Sequence, residues 1–142
     1  MLIRYQLAWE LRDSVMIDTV IAADYTGTSI DLTDSYPTTI PFSKSDEVRI
    51  VGAMKLDPLM SQVSVDLYPP LWTREAIFSD PPEWVTIRIP DLRVEISTGL
   101  DEILATGQYD CTFTFRPITP APNSPTDTTW AIVRWKERKV SL

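Results

Sequence analysis

The chain has 142 residues, no histidine and one cysteine, and carries a formal charge of −7. That length fits one domain, 1–142, and needs no disulfides, because a domain of this size removes roughly 68–70% of its unfolded surface from water. A lone Cys111 allows no intrachain bridge, and without His the Ser-His-Asp and Cys-His arrangements and the commonest general base are excluded.

The charge balance argues against nucleic acid as a partner, since phosphate binding needs a cationic face. No stretch approaches the roughly 20 apolar residues that cross a bilayer, so no membrane contact is expected. The start, MLIRYQLAWELRD, is interrupted by Arg4, Glu10 and Arg12 and does not read as a signal peptide.

In chain order, Ile3, Tyr5, Leu7, Trp9 and Leu11 alternate with Arg4, Gln6, Ala8 and Glu10, the period of a half-buried strand. Met16–Ala22 is a second apolar run, rich in β-branched residues. Gly27 sits in a turn over Asp24–Thr28, a short strand covers Ser29–Thr33, and Thr33–Glu47 reads as loop around Pro37 and Pro41. Strands are expected at Val48–Met54 and Val63–Leu67. Two Pro-Pro pairs bracket Tyr68–Trp84, a long structured loop that sets aromatics on a surface or over the end of the core. Val85–Ile89 and Leu92–Ile96 are strands separated by Pro90. A short helical turn is expected near residues 99–106, capped by Thr98 and ended by Gly107. Tyr109–Arg116 and Trp130–Val140 close the chain, joined by the proline-rich PITPAPNSPTD, Pro117–Asp127. Twelve prolines, four glycines and no long amphipathic helix imply an all-β fold, an antiparallel β-sandwich.

The stretch ILATGQYDCTF sharpens that architecture. Tyr109 stands two residues before Cys111 and two after Gly107. It resembles the tyrosine corner of immunoglobulin-like sandwiches, where a short helical turn links two strands and a Tyr hydroxyl ties back to the corner. A second cysteine is missing, so the resemblance is to the looser Ig-like sandwich without the inter-sheet disulfide. A short, acidic, proline-rich, cysteine-poor sandwich is also similar to the small accessory proteins of tailed-bacteriophage particles. That resemblance implies a non-enzymatic structural protein of the virion, a head decoration, neck, tail or baseplate component assembled in the host cytoplasm. Its partners would be other virion proteins and copies of itself as a homo-oligomer, with no cofactor.

Docking would then fall to Trp72 and Trp84 of the Pro-Pro loop, to Ile118, Pro120 and Pro122 of the stiff arm, and to the basic Arg134, Lys136, Arg138 and Lys139. RWKERK carries four positives and one negative, against nine and nineteen elsewhere, so a basic end can meet the acidic body of a neighbour. A solvated edge strand kept soluble by Lys and Arg would give the same pattern. The alternative function is a ligand- or carbohydrate-binding sandwich that uses outward tryptophans. Trp9 falls on the core face, while Trp130 and Trp135 have opposite strand parity, so one of them faces out. Cys111 reads as a core thiol rather than a nucleophile. Asp24, Asp31 and Asp34 lack the EF-hand spacing, and no metal site is expected.

Overall fold

The N-terminal segment is helical where the alternation suggested a strand. The computed structural model describes residues 1–66, 72–99, 102–118 and 129–141. Helix α1 spans Leu2–Glu10. Its apolar residues lie on two faces: Tyr5 and Ala8 are buried, while Ile3, Leu7 and Leu11, four residues apart, stay exposed. The period-two reading merged those faces into one. The helix closes at Arg12, whose φ of 53° is left-handed. Asp13 then starts α2, Ser14–Val20, by accepting from the backbone N–H groups of Val15 and Met16, both at 3.0 Å. Ile17 and Val20 point inward at helical spacing, so the run read as a strand at Met16–Ala22 is helix as far as Val20. Helix α3, Lys44–Leu56, replaces the strand expected at Val48–Met54. Ser43 and Asp46 form a capping box, and Glu47, Val51 and Met54 share the buried face.

The strands are β1 Ile21–Asp31, β2 Thr39–Ser43, β3 Gln62–Asp66, β4 Thr73–Glu75, β5 Val85–Ser97, β6 Ile103–Ile118 and β7 Thr129–Ser141. They form one curved sheet in the order β2-β1-β7-β6-β5-β3, with β4 also on β5. The β1–β7 pair is parallel and the other pairs are antiparallel. Gly27, expected in a turn, is buried inside β1. The strands expected on either side of Pro90 are one strand, β5, whose register against β6 shifts between Ile89 and Leu92. Of the helical turn expected near 99–106, residues 100 and 101 lie outside the described residues, and Ile103 onward is already β6.

All three helices lie on one face of this sheet. There Tyr5, Ala8, Ile17, Val20, Val51 and Met54 meet Val63, Ile89, Phe113, Ile132 and Trp135 in one core. The expected all-β Ig-like sandwich is therefore wrong: the layer that covers the sheet is helical, built from segments whose apolar patterns resemble those of strands. The tyrosine corner also dissolves. Tyr109 and Gly107 sit in the same strand, and the Tyr109 ring lies over the glycine. A Cβ on Gly107 would come 2.6 Å from the Tyr109 Oη, so glycine makes room for that ring.

Candidate functional site

Helices α1 and α3 and strands β1 and β7 bring Tyr5, Tyr25, Glu47 and Glu137 together on the inner, helix-covered side of the sheet. Each position follows from local periodicity. Glu47 comes one residue after the capping box, at the start of the apolar face of α3. Tyr25 lies beside the Cα of Gly27, where a Cβ would stand 2.6 Å from its hydroxyl. Glu137 shares strand parity with Trp135, opposite Cys111 and Phe113 of β6. Tyr25 Oη donates to Glu47 Oε1 at 2.8 Å, and Ser29 Oγ donates to Glu137 Oε1 at 2.6 Å.

Burial governs the electrostatics here. Glu47 is 1% exposed, and removal from water raises its carboxyl to about 7, against the pull of the Tyr25 hydrogen bond; the charge of Glu137 raises it further. Burial likewise raises Glu137 to about 7, with Ser29 opposing. Tyr5 and Tyr25 are pushed up by burial first and by Glu47 next. Tyr109, on the same face, is pushed up to about 12 by burial. The set is not saturated. Glu47 Oε2 is buried without a hydrogen-bond partner, while the indoles of Trp9 and Trp135 lie against the Tyr5 hydroxyl and the Cys111 thiol. Buried polar atoms are nearly always paired with protein, water or ligand.

Aromatic rings pack between this cluster and the sheet end. Tyr5 meets Phe113 edge-on at 5.5 Å between ring centres, and Phe113 stacks on Phe115 at 6.3 Å and on Trp135 at 6.2 Å. Phe115 forms part of an apolar groove of about 370 Å³, shared with Leu2, Ile3, Trp72, Ile87 and Trp130. The inner side of the sheet thus runs from an open apolar groove to a buried carboxyl–phenol cluster. Two carboxyls near 7 can accept or donate a proton at neutral pH, and the phenols can donate hydrogen bonds to an oxygen.

The sequence-derived residues scatter. Trp72 is exposed and lines the apolar groove. Trp84 packs on the outer face against Ala22, Ala131 and Val133, with the Arg116 guanidinium 5.9 Å from its ring. Ile118 is exposed at the end of β6 opposite Thr129, while Pro120 and Pro122 lie outside the described residues. The basic run is no single patch. Arg134, Lys136 and Arg138 face outward, and Lys139 faces inward to Asp31 at 3.0 Å. Arg134 is spent on Asp80 at 2.7 Å. Trp130 and Trp135 share the inner face despite their spacing, because the β6–β7 register slips between Ile132 and Arg134. Of the three aspartates weighed against calcium binding, Asp24 pairs with Arg116 at 2.8 Å and Asp31 with Lys139. Tyr5, Tyr25, Glu47 and Glu137 were missed. The available signal was an acid at the start of the α3 apolar face and another in the middle of a basic strand.

A scan against protein-family models finds no match, and a search of the curated proteins finds none either. Solved structures do match. An NTF2-like superfamily protein from Salmonella enterica serovar Typhimurium aligns with TM-score 0.65 at 12% identity, over 99% of this chain and 87% of that one. A conserved protein from Planctomyces limnophilus gives 0.61 at 13%, over 99% and 91%. A ketosteroid isomerase-like protein from Erwinia carotovora atroseptica gives 0.51 at 12%, over 99% and 91%. At these identities the likeness shows the fold, which is NTF2-like, also called cystatin-like. It overturns the phage resemblance. The neighbours are bacterial cellular proteins of mixed α/β fold, so the reading as a structural, virion-located protein of a tailed phage is withdrawn.

Proposed function

We propose that this chain binds a small, largely apolar organic molecule carrying a hydroxyl or carbonyl group. The apolar groove at Trp72 and Trp130 admits the molecule, and the cluster of Glu47, Glu137, Tyr25 and Tyr5 receives its oxygen. What carries this reading is the carboxyl pair of buried Glu47 and half-buried Glu137, each near 7, with one Glu47 oxygen left without a partner. Such a pair is costly to bury, and a ligand hydroxyl that donates to Glu47 would offset the cost. The same groups suit proton transfer. An isomerase-like activity, the kind named for the Erwinia neighbour, needs an acceptor and a donor near neutral pH.

The test is a thermal-shift and calorimetric screen of cyclic alcohols and ketones against the full chain. A bound member should raise the melting temperature and bind at least about tenfold more weakly to Glu47→Gln, the loss expected for a hydrogen bond to a charged group. Binding should also weaken in Trp130→Ala. Deuterium uptake from D₂O into a bound ketone would report proton transfer. Equal affinity for wild type and both variants would overturn the site.

A further inference from the structure

The outer face of the sheet carries a second cavity, of about 390 Å³, away from the helices. Two rows of side chains from neighbouring strands floor it. Thr28, Lys136, Thr112 and Arg88 stand in register across β1, β7, β6 and β5, and Arg138 stands beside Asp110 in the next row. Ser29 and Glu137 also border the cavity, but their side chains bond each other on the inner face, so they reach it through main chain.

The charges in this cavity do not cancel. Asp110 is the buried pivot, 8% exposed, and takes two guanidinium groups. Arg88 grips it with Nε at 2.9 Å and Nη2 at 2.8 Å, and Arg138 Nη2 donates to the same carboxylate. One carboxylate thus holds two cations and fixes where they point. Each guanidinium keeps N–H donors in excess, because Arg carries five and spends at most two here. Lys136 adjoins them, exposed and with no ion-pair partner among the described residues. Besides Asp110, and with Glu137 turned to the inner face, Glu75 is the remaining carboxylate among the lining residues. Three cations against two carboxylates leave a positive excess, in a chain whose total charge is −7.

We propose that this cavity is a binding site for a small organic anion, a carboxylate or a phosphate monoester. Lys136 and the unspent N–H groups of Arg88 and Arg138 would hold the oxyanion, with the Thr28 and Thr112 hydroxyls as further donors. An Arg orientated by a buried carboxylate is already ordered, so little rotamer freedom is lost on binding. The enclosing strands and the negative remainder of the chain select a small anion over a polyanion, which the rest of the surface repels.

The test is isothermal calorimetry of the full chain at low ionic strength with inorganic phosphate, with succinate and with a single-stranded oligonucleotide. Saturable binding of phosphate or succinate at one site per chain is expected, and which of the two binds tighter separates the phosphate source from the carboxylate source. Lys136→Met removes an exposed, unpaired side chain, so it should leave the melting temperature unchanged while weakening the anion at least about tenfold. Arg88→Lys, which keeps the charge but loses the fork, should also weaken it. Absence of saturation with both anions, wild-type affinity in Lys136→Met, or tighter binding of the oligonucleotide would overturn the proposal.

Discussion

The hydrogen bond from Tyr25 to Glu47 decides how much charge the interior tolerates. At 2.8 Å the phenol favours the carboxylate and pulls its pKa down, while burial pulls harder the other way and leaves it at about 7. Tyr25→Phe removes that donor and adds nothing in its place. Both Glu47 oxygens would then be buried without a partner, since Oε2 already has none. The expected cost is ~1–3 kcal/mol of unfolding free energy. It should be greater on the alkaline side of about 7, where the stranded group is a charge, than on the acid side, where it is a neutral carboxyl. Urea denaturation of Tyr25→Phe at two pH values checks both size and slope. A loss that does not depend on pH would mean that the phenol does not control Glu47.

Helix α3 is the element that delivers Glu47, and its first turn rests on Ser43. Ser43 Oγ accepts from the Asp46 N–H at 3.3 Å, and Asp46 Oδ2 accepts from the Ser43 N–H at 2.9 Å. Ser43→Ala should cost ~0.5–2 kcal/mol. It should also loosen the first turn next to Glu47, seen as faster amide exchange there than at Val51; uniform exchange along α3 would refute that link. The Ser-x-x-Asp pattern was present in the sequence, yet Pro37 and Pro41 drew the whole of Thr33–Glu47 into a loop. Pro41 in fact sits in β2, a strand at the end of the sheet order. The alternation of the strands from Val85 onward was legible, because it reflects one covered face, although β5 was expected as two strands and the start of β6 as a helical turn. The helices were not, because α1 carries apolar residues on both its buried and exposed sides and so lost the 3.6-residue signature. Without helices, Glu47 had no apolar neighbours in any reading, and Glu137 merged into a basic run. The site needed the tertiary pairing of β1 with β7, two strands more than a hundred residues apart. No local pattern encodes that pairing.

At the scale of the molecule, the buried pair sets the direction in which stability moves with pH. Glu47 and Glu137 titrate near 7 in the fold, raised by burial from an ordinary value of 4.5. Between those values the native chain binds more protons than the unfolded chain. Unfolding free energy must therefore fall as pH rises from about 4.5 to about 7, and level off once both groups are ionised in both states. The acid side runs oppositely. Asp110 is held below 3.8 chiefly by its hydrogen bond with Arg88, so its contribution is present above that value and is lost as pH drops through its lower native pKa. Stability should peak on the acid side of neutrality. Self-repulsion of a chain with charge −7 also grows with pH, but it acts between exposed groups and is screened by salt, whereas the buried pair is screened far less. Denaturant midpoints measured across this range at low and high salt separate the two. The slope that survives salt belongs to the carboxyl pair, and Glu47→Gln should remove part of it. A midpoint that stays flat in high salt, or that rises with pH, would show that Glu47 and Glu137 ionise in the fold without penalty, and the interior would then offer no acid near neutral pH for a ligand to meet.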